Sequence, residues 1–443
     1  MRNKLLILAA GLDGSGLQKD RLPSLLSPSA VNDYLVGFWL NFRPEMIVLA
    51  AVGEAEEKWI KSKKINIIPE ELLGAPVAVL MEKVSGKPAA CDLIIMTREF
   101  FPLQPDLIRK VLKFHRKSGN DLTLTGEKLT PENGGSGEDY FVYPGLAVLK
   151  ASGGQKWLRR ARPFKPGGEL DVVGLVEAAW SEERKLGFYW MEEADRRGFL
   201  QISAPGDFAR LATHLRNLKI AELEKGGVFF LDPGAVWIDP EVKVGRGTVI
   251  YPWVVVEGKS RIGRDCLIYP HCHIINSRIG HGVKVFGATV MEGSTIEDEV
   301  QVGPFSRLRP ETRLRRGSRV GNFVEMKKTL FGRRSKAMHL SYLGDARVDD
   351  DVNVGAGTIT CNYDGMRKHK TFIGREAFIG SGTELVAPVR VGRGAYIAAG
   401  STITENVKPG ALAIARARQV QKPGWVKKRK AEIKASGKKT PEK

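Results

Sequence analysis

Cysteine is scarce in this 443-residue chain: Cys91, Cys266, Cys272 and Cys361 are the only four. Thiols this few and this scattered exclude a disulfide scaffold, and no CxxC pair suggests a structural metal site. A reducing cytoplasm is the compartment that fits. Long apolar runs are also missing, and no segment approaches the roughly 20 residues that span a bilayer. The stretch Leu5 to Gly11 follows Arg2 and Lys4 as a signal peptide would, yet it is short and leads into a glycine-rich turn. It reads as a first buried strand. Acidic residues are in deficit, 50 against 69 Lys and Arg, for a formal net charge of +19. Much of that excess lies in the tail from Lys422 to Lys443. The tail lacks interleaved aromatics and no nucleic-acid motif occurs, so nucleic acid is not an expected partner. Anionic small substrates need only a few local charges, and they remain open.

What the chain does have is a period of six. Ile238, Val244, Ile250, Val256, Ile262, Ile268 and Ile274 form one series, and Ile373, Ile379, Leu385, Val391, Ile397 and Ile403 another. Many are followed by glycine. An amphipathic helix repeats at 3.6 and a two-faced strand at 2, so neither explains the spacing. Hexads mark a parallel β-helix, in which a short strand and a sharp turn build one side of a triangular prism. The aliphatics stack into a continuous shaft. The register slips by one between Ile274 and Ile279 and again before Val290. It breaks between Val354 and Ile373, where Thr360 to Lys370 intrudes. Insertions in a solenoid become loops on one face, often the binding face.

Upstream, Lys4 to Gly11 is a near-continuous apolar run, and others follow at Met46 to Val52, Leu93 to Met96 and Leu122 to Leu124. Helical spacing between them, as at Pro105 to Lys117, predicts a doubly wound, Rossmann-like α/β domain. Asp207 to Lys225 has helical spacing with Asp207 as N-cap, and Gly226-Gly227 ends it. The expected division is an α/β domain over 1–206, a connecting helix over 207–227, the β-helix over 228–412, and a mobile basic tail over 413–443.

Three motifs fall in or near the break: Gly303 to Pro310, Gly321 to Lys328 continuing through Lys336 to Asp345, and Asn353 to Gly365. From about Gly303 to Trp425 the chain resembles the bacterial bifunctional family of N-acetylglucosamine-1-phosphate uridyltransferase and glucosamine-1-phosphate N-acetyltransferase. The resemblance implies a left-handed β-helix that moves acetyl from acetyl-CoA to the amine of glucosamine 1-phosphate, for UDP-N-acetylglucosamine synthesis. It places His339 as general base, Arg309 and Lys327 on the sugar phosphate, and Tyr342 and Asn353 on the acceptor, with Lys368 adding charge. Ala356, Asn362, Tyr363, Ser381, Ala399 and Arg416 fall where the family contacts acetyl-CoA. It further implies a homotrimer whose sites are shared between subunits. For the polar residues the competing reading is solvated coil surface, and for Ser381 and Ala399 corner packing. His271, Cys272, His273 and His281 invite a metal, but a third ligand is not evident and exposed coil residues are the better reading.

The N-terminal half departs from the family where its chemistry lies. The family's loop, LAAGxGTRM followed by Pro-Lys, cradles nucleotide phosphates. Here Leu8, Ala9, Ala10 and Gly11 are kept, but Gly16 falls near the arginine position and Ser24 follows Pro23. Lys19 or Arg21 would have to substitute. The metal-binding aspartate is absent from Thr97 to Pro102, leaving Glu99 one step away, and the second metal position falls at Gly206 or Asp207. Uridyltransferase activity is therefore expected to be lost, with Mg²⁺ needed only if this site works. The alternatives are a bifunctional enzyme with a rewired first site, and a non-catalytic scaffold or nucleotide sensor.

Overall fold

The computed structural model describes residues 4–10, 46–50, 66–68, 91–96, 100–128, 141–142, 145–151, 156–162, 171–201 and 205–436. Its backbone falls into two compact units, Met1–Gly227 with Asp232–Val242 and Val256–Gly258, and the remainder.

In the first unit the apolar runs become a mixed sheet. Strands Asn66–Ile68, Met46–Ala50, Lys4–Ala10 and Cys91–Met96 lie side by side in parallel. Leu146–Ala151 then runs antiparallel against Cys91–Met96, a reversal that the strand–helix alternation did not announce. Buried Leu93, Ile94, Ile95 and Leu146 to Leu149 explain the unbroken apolar runs. Helix α1, Asp106–Ser118, buries Leu107, Ile108, Val111 and Leu112 and stops at left-handed Gly119. Helix α2, Pro205–Lys225, starts two residues before the expected N-cap. Asp207 instead occupies its first turn, 3.7 Å from Arg210, where a carboxylate suits the N-terminal end of the helix dipole. Leu8, Ala9 and Ala10 lie on the first strand. Gly11, Gly16, Lys19, Arg21, Ser24 and Glu99 lie outside the described residues.

The left-handed parallel β-helix makes up the second unit, apart from the stretches Asp232–Val242 and Val256–Gly258 of its first coils, which fall in the first. Face one has 11 strands from Phe229–Phe230 to Leu412–Ala413, face two 10 from Trp237–Ile238 to Thr402–Ile403, and face three 9 from Lys243–Val244 to Val389–Val391. Every residue of both hexad series is buried except half-buried Val244. The slip between Ile274 and Ile279 is a shorter coil: Val249 pairs with Leu267 eighteen residues on, Leu267 with Lys284 only seventeen on. The slip expected before Val290 is not there, because Val290 is exposed and its neighbour Met291 keeps the hexad spacing from Val285 and faces the shaft. Buried hydroxyls inside two of the corners, Ser306 and Ser341 at one and Thr312 and Thr329 at another, donate to backbone carbonyls of the coils. The long coil holds residues 362–370 as a loop between the strands Ile359–Cys361 and Thr371–Ile373. The basic tail contains helix α3, Trp425–Ala435, which buries none of its side chains. Among the described residues no helix is long and apolar enough to cross a membrane.

Candidate active site

On face two the inward residues Leu308, Met326 and Leu343 stack in register, one per coil. The residue after each points outward, so Arg309, Lys327 and Gly344 form one column with steps of about 4.8 Å. Glu325 and Tyr342 form the adjoining column. Arg309 donates through Nη1 to Glu325 Oε1 at 2.9 Å, which fixes the guanidinium and leaves its other N–H groups available. The neighbouring charges of Lys368, then of Arg309, push the Lys327 ammonium below the usual lysine range. Three cations thus crowd one spot without an equal number of anions. Such a cluster stabilises a bound phosphate more than it stabilises the fold.

Lys368 reaches that spot from the inserted loop. Asp364 organises the loop by accepting from the backbone N–H of Met366 and Arg367 and from His369 Nε2 at 2.6 Å. Tyr363 and Lys368 form a short antiparallel bridge across it. A methyl group on Gly344 would collide with the Tyr342 hydroxyl, so the bare glycine lets the ring lie along the strand toward the cations.

At the opposite edge of face two, the corner shared with face one carries His339. Its Nδ1 lies 2.6 Å from Asn322 Oδ1. An amide oxygen only accepts, so a neutral ring making this contact carries its proton on Nδ1 and keeps its lone pair on Nε2. The corner changes character here. Its left-handed position is filled below by Trp253, His271, Ala288, Phe305, Phe323 and Leu340, and above by Gly357, Gly382 and Gly400. Phe305 and Phe323 stack at 5.5 Å and both are more than half exposed. Bulky residues at positive φ are strained, and the coils above His339 have none at this corner. The row beside the glycines holds Ala356, Ser381 and Ala399, with Arg416 Nη1 donating to Ala399 O at 2.6 Å. Small side chains and bare backbone therefore line a strip leading up from His339, shaped for an extended chain.

The structure thus places His339, Tyr342, Arg309, Lys327 and Lys368 along one face and its corner, and Ala356, Ser381, Ala399 and Arg416 along the continuation of that corner. Asn353 departs: it projects from face one, in register with Lys336 and Phe378. Asn362 is buried and donates to Asp345 at 2.5 Å, while Tyr363 is exposed and bonds Gly365 O at 2.6 Å. Sequence reasoning missed Asn322 and Glu325. Their signal was the coil length, since Asn322 stands seventeen residues before His339. His271 stacks on Trp253 at 4.9 Å, and among the described residues no group of three or more His, Cys, Asp or Glu is placed to hold a metal.

Hexapeptide coils with a polar site built on one corner define a hexapeptide-repeat transferase, and residues 370–405 match the family model described as bacterial transferase hexapeptide (six repeats). The whole chain is similar to the bifunctional protein GlmU of Thermotoga maritima, 36% identical over 97% of this chain and 100% of that one. The bifunctional protein GlmU of Thermosipho melanesiensis is 51% identical over 98% of this chain and 100% of its own. Likeness at this level over both full lengths is decisive: the chain belongs to the GlmU family.

Proposed function

We propose that residues 228–412 transfer acetyl from acetyl-CoA to the amine of glucosamine 1-phosphate, with His339 as general base. The observation that carries this reading is the junction at His339, where the small-residue strip meets the face bearing Arg309, Lys327 and Lys368. A thioester arm laid along Ala356, Ser381 and Ala399 brings its carbonyl to the imidazole. A sugar held by its phosphate on the cations, and by Tyr342, presents its amine from the other side. The amine nitrogen bonds to the carbonyl carbon and His339 Nε2 takes its proton. The carbon–sulfur bond then breaks, and the proton passes to the departing thiolate. Arg416, Asn362 and Tyr363 serve the donor. Asn353 sits on another face, which suits a homotrimer whose sites are shared between neighbouring subunits.

For residues 1–206 we propose a domain retained for folding or assembly, with uridyltransferase activity lost. Displacement of pyrophosphate needs cations and a metal to carry developing charge, and the altered loop lacks the family's Arg and Lys. Asp207 lies 3.7 Å from Arg210 on its own helix, and among the described residues no group of three or more metal-ligating side chains is placed to hold an ion, so no Mg²⁺ step is assigned to it. The full-length likeness to proteins named bifunctional favours a second reading, a rewired first site using Lys19, Arg21, Glu99 and Asp207. Two assays on the purified chain decide. Thiol release from acetyl-CoA with glucosamine 1-phosphate, and no pyrophosphate from UTP, Mg²⁺ and N-acetylglucosamine 1-phosphate, supports the first reading. Both products support the second, and neither product leaves a scaffold or sensor. Replacing the base, His339→Ala, should cost at least about a hundredfold in kcat, with the melting temperature unchanged.

A further inference from the structure

Face one is built of two-residue strands over most of its length, but Arg319–Asn322 and Lys336–His339 each run to four. The ladder continues into the corner here, ending on the pair Asn322 and His339. Leu340 N–H donates to Asn322 O at 3.0 Å, so the backbone is pinned on both sides of the imidazole. Gly321 permits this closeness, because any Cβ there would run into the Met338 carbonyl on the next coil. Continuing the register puts Ala356 on the far side of His339, and the adjoining corner residues are Phe323 and Leu340. None of these neighbours carries a charge.

We infer that Asn322 is a positioning residue for His339: its side-chain carbonyl holds Nδ1–H, so that Nε2 faces the acceptor amine with its lone pair free. Which ring nitrogen carries the proton is set by the bond the other one makes. The same bond strengthens when Nε2 takes the proton, since a cationic donor bonds better than a neutral one. Asn322 therefore helps most at the moment of transfer, and its loss falls on kcat rather than on substrate binding. This rests on the assignment of His339 as base, which the same experiment checks separately.

The test measures acetyl transfer by thiol release across pH for the full chain and three variants. Asn322→Ala should lower kcat about tenfold, the worth of one hydrogen bond to a group that becomes charged, with both KM values held within twofold. Asn322→Asp keeps the size and the acceptor but adds a negative charge, which favours the protonated ring. Its acid limb should move to higher pH by about one unit, while the plateau rate stays within about threefold of the unaltered chain. A purely structural role would not move that limb. His339→Ala runs alongside. If it stays active, the base assignment fails. If it is inactive while both Asn322 variants keep the original kcat and pH midpoint, only the positioning role is overturned. Should Asn322→Ala melt early, the near-isosteric aspartate variant decides alone.

Discussion

Two corners of the same prism solve the same backbone problem with opposite side chains. Both need a left-handed residue in each coil. Between faces three and one, that position is filled by Asp265, Glu299, Arg334, Asp351 and Glu376 among glycines. Between faces one and two, it is filled by aromatics, an alanine and a leucine, and then glycines only. The charged corner closes on itself: Arg316 meets Glu299 at 2.6 Å, Arg334 meets Asp351 at 2.7 Å, and Arg393 meets Glu376 at 3.2 Å. The other corner leaves its side chains pointing at water. The buried aliphatic shaft fixes the turn in either case, so the residue at its tip is released for other uses. One corner spends it on coil-to-coil ion pairs, the other on shaping a surface.

The contrast breaks most sharply if the aromatic pattern is extended past His339. Gly382 has φ 66, and an added Cβ meets nothing nearer than 3.8 Å, so Gly382→Phe should fold with only the roughly 1–2 kcal/mol left-handed cost its neighbours already bear. A ring there would block the strip. We expect KM for acetyl-CoA to rise about a hundredfold, a loss of the size that misplacing a reacting group brings, with KM for the sugar phosphate little changed. An unaltered acetyl-CoA KM would remove the strip as donor site. Next in size, Lys327→Met should raise KM for glucosamine 1-phosphate at least about tenfold, the worth of a charged hydrogen bond. The same change should leave any turnover of unphosphorylated glucosamine untouched, and equal losses on both acceptors would unseat the phosphate role.

How much of this was legible beforehand follows from what each feature depends on. The hexads revealed the shaft because burial of one residue in six is a one-dimensional signal, and Ile250 or Leu385 needs no partner to be recognised. His339, Arg309 and Lys327 stand out as candidates through intact family strings. Asn353 was named with them, but which face it occupies depends on counting through irregular coils of seventeen or eighteen residues. Asn322 and Glu325 escaped for the same reason: their partners are a coil away in sequence, and nothing local marks them. The antiparallel strand Leu146–Ala151 was missed because apolar content does not encode direction. Helix α3 was missed because Trp425 to Ala435 shows no buried face to give it a period.

The inserted loop offers a milder probe. Two backbone N–H groups and the His369 imidazole hold the Asp364 carboxyl down at about 2, below its ordinary 3.8. A carboxyl depressed by folding stabilises the loop above its unfolded pKa, and that contribution is lost as pH falls from about 4 toward about 2. A carboxyl resonance followed by NMR should titrate in that window, and Asp364→Asn should remove the loop's acid sensitivity. Since the loop carries Lys368, the same change should raise KM for the sugar phosphate a few-fold at neutral pH. A carboxyl that titrates near 4 would show that the loop is not held this way in solution.

The smallest effect belongs to the charged corner, and its smallness is the point. Arg334 and Asp351 form a two-pronged pair at 2.7 Å on each arm, but the arginine side chain is 60% exposed. Exposed pairs of this kind contribute about 0–1 kcal/mol and are screened by salt. Arg334→Ala should therefore lower the melting temperature by a few degrees at most, less in high salt, and leave both KM values and kcat unchanged. If it instead depressed acetyl transfer as Lys327→Met does, the two corners would be coupled through the shaft. The division between a corner that holds coils together and one that holds substrates would then have to be given up.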